Sequence, residues 1–238
     1  MLNKNKATII LPCYNESHIL EDNLCRIIKL KDARQVELDI IVINDGSRDN
    51  TKERLGAINR EFPQLKVINN NQSKGRGACV ALGIALNTNK YVGFIDIDLE
   101  IPEENIVKSI EHLKNGWDAV IGKRRFIKDR GYYLNIHRYL ASKIYNKLVR
   151  LLLKLPYTDT ESGIKFFKAE KIIKLLPSIR ANHWFWDTEA VYYMHQKKFK
   201  IMEMACSYRR NWRKRSSVSL AKDSIYYLKK LSELYLRK

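Results

Sequence analysis

The sequence predicts an α/β protein with a mixed, mostly parallel sheet that is flanked by helices. Three observations support this prediction. Short apolar runs alternate with helix-like amphipathic stretches between residues 7 and 122. These runs are continuously apolar, which is typical of strands buried on both faces of a sheet. A chain of 238 residues can also bury the core of such a domain. Binding sites in sheets of this kind lie beyond the carboxyl ends of the strands.

The predicted elements of the first half alternate regularly. We expect the first strand to stop at Pro12, because proline interrupts the pattern of backbone hydrogen bonds. Helices are distinguished by apolar residues on one side, as at Leu20, Leu24 and Ile27. Strands are predicted at 7–11, 38–43, 65–68, 91–95 and 119–121, and helices at 17–29, 50–62, 78–86 and 102–113.

Two later segments, 132–155 and 220–236, are basic and amphipathic. In the first, leucines and tyrosines are interleaved with Arg138, Lys143 and Lys147. This composition is typical of a helix that lies in a membrane interface. It is equally compatible with a core helix that has a cationic outer face, and both interpretations stay open.

The net charge of +18 is unevenly distributed. Segment 123–154 holds 10 Lys and Arg and one acid, and segment 197–238 holds 13 Lys and Arg and three acids. The rest of the chain is close to neutral. Basic blocks of this kind attract nucleic acid, anionic lipid or a phosphorylated substrate, and a solvated surface is the simpler alternative.

The spacing of the cysteines and histidines indicates neither a metal site nor a disulfide framework. The four cysteines lie far apart without a Cys-x-x-Cys pair, which predicts a reducing compartment. The five histidines show no metal-ligand spacing. No secretory leader is visible near Met1, and no stretch approaches the ~20 apolar residues of a spanning helix. We therefore expect a soluble or peripheral protein.

Polar residues follow the first two predicted strands. Pro12, Tyr14, Asn15 and Glu16 follow the first, and an aromatic ring with polar groups there suits a planar base and its ribose. Asp45 follows the second strand, where it could accept hydrogen bonds from the same ligand. Taken singly, each segment is also an ordinary turn that caps a helix.

The third predicted strand leads into Ser73-Lys74-Gly75-Arg76-Gly77. Two glycines and two cations before a helix could approach a diphosphate, helped by the helix N-terminus. The spacing is not that of a P-loop, and a flexible turn is the alternative.

Three acids at alternate positions, Asp96, Asp98 and Glu100, follow the fourth predicted strand. Clustered carboxylates without compensating charge repel one another and are costly to bury. A divalent cation resolves this, and oxygen ligands suit Mg²⁺ or Mn²⁺, which bind one or two carboxylates together with substrate phosphates. We favour this metal site over an acidic turn that caps the next helix.

Taken together, these four segments resemble family 2 glycosyltransferases with the GT-A fold. They occur in the same order as in that family and with its usual separations. The segments are Pro12-x-Tyr14-Asn15-Glu16, Asp45-Gly46-Ser47-x-Asp49-x-Thr51, Lys74-Gly75-x-Gly77 and Asp96-x-Asp98. The resemblance covers nearly the whole chain. It implies a nucleotide-sugar-binding part in 1–122 and an acceptor-binding part with membrane-facing helices in 123–238, within one continuous catalytic domain.

The later segments resemble the polyprenyl-phosphate sugar synthases, such as dolichol-phosphate mannose synthase and dolichyl-phosphate glucosyltransferase. Gly122-Lys123-Arg124 resembles their Gly-Ser-Arg, and 159–167 resembles their Asp-Thr-Gln-Cys-Gly-Phe-Lys-Leu-Phe. Arg138, Ser142 and Asn146 match their helix that receives the lipid phosphate, and the i, i+4, i+8 spacing puts them on one helix face.

Two further segments match with departures. Trp186-Asp187-Thr188-Glu189 resembles the relatives' Phe-Asp-x-Glu, and the run from Arg210 through Arg213 to Ser217 resembles their basic loop. Arg215-Ser216-Ser217 replaces the usual Gly-Ser-Lys, which leaves open the cation that contacts the diphosphate. Asn44 stands where Asp is usual, while Asp45 is kept.

The resemblance implies an inverting transfer of a hexose from a nucleotide sugar of the UDP-glucose or GDP-mannose type. The metal held by Asp96 and Asp98 would stabilise the departing diphosphate, with Lys74, Arg210 or Arg213 adding positive charge. A dolichyl or undecaprenyl phosphate acceptor is already anionic, so Arg124, Arg138 and Ser142 would hold it without a general base.

The alternative acceptor is a sugar hydroxyl in surface polysaccharide or glycolipid assembly. It needs a base, which Asp187 or Glu189 could supply, although support of the site through hydrogen bonds is the favoured role of both. For either acceptor we expect a peripheral protein on the cytoplasmic face of an anionic membrane, with a separate membrane protein as a further partner.

Two other classes fit the sequence less well. A nucleic-acid-binding protein would use the +18 charge, but no nucleic-acid motif is present. A nucleotidyltransferase also uses paired acids on a similar sheet, but Pro12–Glu16 occupies the place of its glycine-rich basic loop.

Overall fold

The structure is a computed structural model that describes residues 2–34, 36–130, 133, 135–210 and 220–237. Within them, seven strands form one sheet: β1 Asn3–Cys13, β2 Leu38–Asn44, β3 Lys66–Asn69, β4 Asn89–Ile95, β5 Ala119–Phe126, β6 Ile164–Lys168 and β7 Ile201–Tyr208. The α-helices are α1 Leu20–Ala33, α2 Thr51–Glu61, α3 Arg76–Ala85, α4 Glu104–Lys114, α5 Ile136–Leu153, α6 Ala169–Ile172, α7 Trp186–Gln196 and α8 Leu220–Leu236. A 3₁₀ helix, Ile173–Ser178, follows α6.

The strand order is β3-β2-β1-β4-β6-β5-β7, and only β6 runs against the others among these seven. The prediction of a mixed, mostly parallel sheet flanked by helices is confirmed. Ile164, the first residue of the reversed strand, pairs with Ile95, the last residue of β4. The loop before β6 therefore meets the carboxyl ends of the other strands at one edge of the sheet.

Each face of the sheet has its own apolar core. In β1, Ile10 packs into one core, whereas Ile9 and Leu11 pack into the other, as the two-residue repeat of a strand requires. Helices α1, α2 and α4 cover one face. Helices α3, α5, α7 and α8 cover the second face. Burial on both faces explains why the strands are continuously apolar.

The first strand passes through Pro12 and ends at Cys13, so the predicted stop at Pro12 is wrong. The Cys13 carbonyl accepts the N–H of Asp45 at 2.8 Å on the β2 side. The nitrogen of Pro12 therefore faces the β4 side, where pairing of β1 with β4 has already ended at Ile10. A proline there removes no ladder hydrogen bond.

Both basic amphipathic segments form helices, α5 and α8, as predicted. Tyr145, Val149 and Leu153 of α5 lie in the core. Leu140 and Ile144, on another side of α5, are 52% and 70% exposed. Helix α5 thus combines a core face with an exposed apolar face. None of the helices in the described part is both long and apolar enough to cross a bilayer.

Candidate active site

A cleft of about 750 Å³ opens at the carboxyl edge of the sheet, between the strand ends and helices α5 and α8. We call it the carboxyl-edge cleft. The predicted site residues that line it are Pro12, Tyr14, Glu16, Asp45, Asp96, Asp98, Glu100, Arg124, Arg138, Ser142 and Arg210. The predicted residues that are described but lie outside its lining are Asn15, Lys74, Gly75, Asp187 and Glu189. Arg213 lies outside the described residues.

Asn15 joins the loops that follow β1 and β2. Its backbone N–H donates to Oγ of Ser47 at 2.9 Å, and its Oδ1 accepts the N–H of Arg48 at 2.8 Å. Its φ of +56° lies in the left-handed region, which asparagine tolerates better than most residues. The N–H of Glu16 donates to Oγ1 of Thr51 at 3.1 Å. These bonds hold the two loops together at the rim of the cleft.

Asp45 binds the loop after β3 through both carboxylate oxygens. It accepts hydrogen bonds from Asn70 Nδ2 at 3.0 Å, Ser73 Oγ at 2.7 Å, and the backbone N–H groups of Lys74 at 2.8 Å and Gly75 at 2.9 Å. Burial raises the pKa of Asp45, but these hydrogen bonds outweigh burial and leave the pKa below its ordinary value. The carboxylate therefore orders the Lys74-Gly75 turn as well as facing the cleft.

The glycines of this turn approach protein rather than open space. A Cβ on Gly75, whose φ is +100°, would lie 2.2 Å from the carbonyl oxygen of Asn182. A Cβ on Gly77 would lie 2.4 Å from Cβ of Trp186. These glycines therefore allow close packing against segment 182–186, and their close approach to a diphosphate stays a prediction.

Arg76, between those glycines, connects two acids beneath the cleft. Its Nε donates to Oδ1 of Asp96 at 2.7 Å, and its Nη1 donates to Oδ2 of Asp187 at 2.7 Å. Lys165 Nζ lies 3.1 Å from Oδ1 of Asp187. Asp187 is 2% exposed and Lys165 is fully buried. Asp187 therefore contacts two buried cations, and its role in supporting the site stays a prediction.

The charges in this group alter one another's ionisation. Burial raises the pKa of Asp96; the Arg76 charge lowers it, the Asp98 charge raises it again, and the net shift is upward. Burial lowers the pKa of Lys165, and this outweighs the opposing effect of Asp187. A Cβ on Gly163 would lie 2.1 Å from Oδ2 of Asp96, so a side chain at this position would displace that carboxylate.

Glu100 has partners of its own beside the Asp96–Asp98 pair. Its Oε2 accepts the hydroxyl of Tyr208 at 2.5 Å and Nη1 of Arg210 at 3.1 Å. Within the described part of the chain, no three His, Cys, Asp or Glu side chains form a group able to hold a metal ion. The predicted ligand set of three acids is therefore absent from this conformation, and Glu100 instead anchors the start of the basic loop.

Asp96 and Asp98 alone still fit a divalent cation. Both line the cleft and both are partly exposed there. Burial and the Asp98 charge both raise the pKa of Asp96, so a further positive charge beside it would favour the ionised carboxylate. Magnesium characteristically uses one or two carboxylates and completes its shell with water and substrate phosphates. Two oxygen donors open to the cleft match that requirement.

Arg124 and Ser142 lie together in the cleft, where both donate hydrogen bonds to Glu161, which is not among the predicted site residues. Arg124 binds both oxygens of Asp159 at 2.7 and 2.8 Å. Its Nη2 also donates to Ser142 Oγ at 3.0 Å and to Oε2 of Glu161 at 3.4 Å. Arg138, one turn before Ser142 on α5, lines the same cleft.

Glu189 lies away from the cleft and is fully buried. Its Oε2 accepts the backbone N–H groups of Arg180 at 3.0 Å and Ala181 at 2.7 Å. Its Oε1 accepts Nη1 of Arg237 at 3.1 Å. Glu189 thus attaches the end of α8 and a loop to α7. This geometry does not suit the alternative role of a general base.

Glu161 and Lys165 are not among the predicted site residues, and Arg76 is predicted only as one of two cations near a diphosphate. Glu161 could have been found as an acid where the relatives have Gln. Lys165 sits in the buried run Ile164–Lys168, and a cation inside such a run signals a buried acid nearby.

Comparison with known proteins now identifies the family. The sequence model of glycosyl transferase family 2 matches residues 8–176, which is more than half of the chain. The chain belongs to glycosyl transferase family 2.

The relatives differ in name and in length. The dolichyl-phosphate beta-glucosyltransferase of Dictyostelium discoideum is 27% identical over 244 residues, covering 92% of this chain and 72% of that protein. The glycosyltransferase AglD of Haloferax volcanii is 26% identical over 201 residues, covering 83% of this chain and 32% of that protein. The dolichol-phosphate mannosyltransferase of Pyrococcus furiosus is 35% identical over 119 residues, covering 50% of this chain and 33% of that protein. The chain thus spans about a third of the length of some relatives.

The fold is that of the GT-A glycosyltransferases. Glucosyl-3-phosphoglycerate synthase from Mycobacterium tuberculosis, solved with Mg²⁺ and uridine diphosphate, superposes with a TM-score of 0.68 at 19% identity. The superposition covers 95% of this chain and 79% of that one. At this identity the likeness establishes the fold, and the predicted GT-A fold of this family 2 member is confirmed.

Proposed function

We propose that this chain is an inverting hexosyltransferase that uses a nucleotide sugar of the UDP-glucose or GDP-mannose type and a polyprenyl phosphate. The named relatives in Dictyostelium and Pyrococcus support this kind of reaction. The observation that carries the proposal is the composition of the carboxyl-edge cleft. The lining includes the carboxylates Asp96 and Asp98, the cations Arg124 and Arg138, and exposed apolar side chains.

The donor lies at the acidic end in this proposal. Tyr14 and Asp45 line the wall that would receive the base and ribose, with Pro12 and Glu16 beside them. Asp96 and Asp98 would hold Mg²⁺ or Mn²⁺, which when bound neutralises the diphosphate and stabilises the charge of the leaving group. Lys74, Arg210 and Arg213 remain the proposed additional cations for that charge.

The acceptor lies at the cationic end. A phosphate monoester is anionic at neutral pH, so its oxygen attacks without a general base. Arg124, Arg138 and Ser142 provide the donors that would hold and orient it. This division of roles requires no base, and the two acids considered as bases, Asp187 and Glu189, are both buried, hydrogen-bonded and outside the cleft lining.

The polyprenyl chain has an apolar route out of the cleft. Ile144 of α5 and Leu228 of α8 both line the cleft, and they are 70% and 50% exposed. Large apolar side chains that face both a binding cleft and the surface suit a lipid tail. Exposed Lys143 and Lys147 flank Ile144 on α5, so the same face suits anionic headgroups.

We extend this proposal to location and partners. The apolar and basic face of α5 would keep the protein peripheral on the cytoplasmic face of a membrane, where nucleotide sugars and polyprenyl phosphates meet. A separate membrane protein that holds the chain at the bilayer is the proposed further partner.

The test compares three acceptors: a short polyprenyl phosphate, the matching polyprenol, and glycerol phosphate. We expect transfer to the polyprenyl phosphate alone, because it supplies both an anion and an apolar tail. Ile144→Ser should raise KM for that acceptor severalfold. Leu236→Ser is the matched control, because Leu236 is 83% exposed but lies outside the cleft lining. Equal transfer to polyprenol would contradict the proposal.

A sugar hydroxyl is the second candidate acceptor, and one observation favours it. Glu161, a carboxylate, lines the cationic end of the cleft and accepts the hydroxyl of Ser142 at 2.6 Å. A carboxylate in that position could remove the proton from an acceptor hydroxyl. In that case Glu161, rather than Asp187 or Glu189, would be the base.

A further inference from the structure

Glu161 occupies the centre of the group that the proposed function assigns to the acceptor phosphate. Its Oε2 accepts Ser142 Oγ at 2.6 Å, Asn146 Nδ2 at 3.0 Å and Arg124 Nη2 at 3.4 Å. One carboxylate oxygen thus collects hydrogen bonds from the end of β5 and from two turns of α5. These are the donors that a phosphate oxygen would use.

The charges at this position leave no surplus for a second anion. Arg124 already forms two short bonds with Asp159, so one guanidinium serves two carboxylates. The side chains of Arg124 and Glu161 are 13% and 15% exposed, so water screens them little. A phosphate added to an ionised Glu161 would place three anionic groups around Arg124, and Arg138 of α5 also lines the cleft.

Among the described residues, the main electrostatic effects on Glu161 involve one cation, one acid and two tyrosines. The charged neighbours on its own loop and on β5 are Asp159 and Arg124. Tyr145 of α5 and Tyr227 of α8 face it from the helices, and the pKa of each tyrosine lies well above its ordinary value. Both phenols are therefore neutral near pH 7.

We propose that Glu161 is the specificity-determining residue of the acceptor site: the phosphate enters only when Glu161 takes up one proton. The neutral carboxyl then donates its O–H to a phosphate oxygen. Arg124 gives up its hydrogen bond to Glu161 and binds the phosphate instead. The proton comes from solvent on binding and returns to solvent on release. This inference rests on the proposed function, because it assumes that the acceptor is a phosphate.

The ionisation of Glu161 agrees with this geometry. Burial raises its pKa; the Arg124 charge and the Ser142 hydroxyl lower it, the Asp159 charge raises it, and the net shift is upward. A raised pKa reduces the cost of adding a proton near neutral pH. Above that pKa, acceptor affinity should fall by up to about tenfold per pH unit, because each unit lowers the protonated fraction tenfold.

The experiment measures binding of farnesyl phosphate to the full chain by calorimetry at pH 8, in buffers with different ionisation enthalpies. At this pH the ligand is already a dianion, so proton uptake reports on the protein. Wild type should take up about one proton per ligand. Glu161→Gln should take up none and should bind at least severalfold more tightly. Equal proton uptake by the two proteins, or none by wild type, would overturn the inference.

Other outcomes separate this inference from the proposed function. If Glu161→Gln transfers sugar to farnesyl phosphate with the same KM as the wild type at every pH from 6.5 to 8.5, the inference fails and the proposed function stands. If it binds the nucleotide sugar normally but loses transfer to a sugar hydroxyl, and wild type makes no lipid product, then both fail. Donor binding and the melting temperature serve as fold controls. The proton uptake of the wild type tests the inference without the need for any variant.

Discussion

The guanidinium of Arg76 joins Asp96 to Asp187, with Nε 2.7 Å from Oδ1 of Asp96 and Nη1 2.7 Å from Oδ2 of Asp187. Arg76 is 8% exposed, and its guanidinium also lies 4.9 Å from the centre of the Phe94 ring. The orientation of Asp96 at the cleft therefore depends on a buried residue of α3. Asp96, a proposed metal ligand, is thus held by Arg76, which occupies the unspecified position x of the motif Lys74-Gly75-x-Gly77.

Replacing Arg76 with lysine tests this dependence. A single ammonium cannot bond both carboxylates in the fixed geometry of a guanidinium. We expect the concentration of Mn²⁺ needed for half-maximal activity to rise by about 10- to 100-fold, as for other groups that orient metal ligands. Arg26→Lys is the matched control, because Arg26 binds both oxygens of Glu103 on the opposite face of the sheet. An unchanged Mn²⁺ requirement in Arg76→Lys would contradict the positioning role.

Loss of the charge at Asp98 should have a different effect on activity and Mn²⁺ affinity from loss of the charge at Glu100. Asp98→Asn should lower kcat/KM by on the order of 100-fold or more, with the melting temperature retained, because it removes a proposed metal ligand. Glu100→Gln should leave Mn²⁺ affinity within about twofold, since Glu100 binds Tyr208 and Arg210. Mn²⁺ titration of both variants measures the difference. Equal losses of Mn²⁺ affinity would restore Glu100 to the ligand set.

Arg138 should serve the acceptor and not the donor. In Arg138→Ala, we expect KM for a short polyprenyl phosphate to rise at least about tenfold, the cost of losing one charge-assisted hydrogen bond. The KM for the nucleotide sugar should stay nearly the same as in the wild type. Arg60→Ala, an exposed change on α2, is the control. Steady-state kinetics with each substrate varied in turn makes the comparison. If donor affinity fell equally, the acceptor site would be misplaced.

Membrane binding should depend on salt. The exposed lysines of α5 should attract anionic lipid, and such attraction is screened beyond about 10 Å at 0.1 M salt. We expect sedimentation with anionic liposomes to decrease strongly between 0.05 and 0.5 M salt, conditions that span Debye lengths from above to below 10 Å. Neutral liposomes are the control. Binding that is strong to both kinds of liposome and insensitive to salt would indicate apolar insertion instead.

Asp118 should make the stability depend on acid pH. Burial raises its pKa, but hydrogen bonds from Lys171 at 2.6 Å and Lys168 at 2.9 Å outweigh burial and lower the pKa to about 2. Because the pKa is depressed on folding from 3.8, this stabilisation is present above pH 4 and is lost as the pH falls towards 2. Asp118→Asn should lower the free energy of unfolding by about 1–2 kcal/mol at pH 7.

Urea unfolding of the wild type and the Asp118→Asn variant at several pH values makes this measurement. The difference between them should narrow between pH 4 and pH 2. Asp22→Asn, an exposed change in the first turn of α1, is the control. A difference that stays constant over this pH range would show that the ion pairs of Asp118 are not its cause.

Much of the fold was predictable because the first half of the chain follows simple repeats. Continuous apolar runs predicted β1 to β5, and one-sided apolar spacing predicted α1 to α4, with bounds that differ by only a few residues. The sequence also predicted α5 and α8. It predicted no element between 156 and 219, where β6, β7 and α7 lie, because those segments mix buried charges such as Lys165 and Asp187 into apolar surroundings.

The candidate site was predictable where a residue follows a strand, and less so where it depends on contacts between distant segments. Asp45, Asp96 and Asp98 follow β2 and β4 and line the cleft. Glu100 follows the same pattern, yet it turns to Arg210, 110 residues away in sequence. Arg76 and Asp187 are 111 residues apart, and their pairing is set by packing that no local pattern encodes.

The most direct test of the central claim is a product assay with the purified protein, Mg²⁺ or Mn²⁺, labelled nucleotide sugars and a short polyprenyl phosphate, with and without a chelator. Our account predicts a labelled lipid that is extracted into organic solvent, formed from one nucleotide sugar and abolished by the chelator. It would be contradicted if one nucleotide sugar protected the protein against heat in a metal-dependent way while no labelled lipid formed. That result would leave a family 2 glycosyltransferase whose acceptor is a hydroxyl.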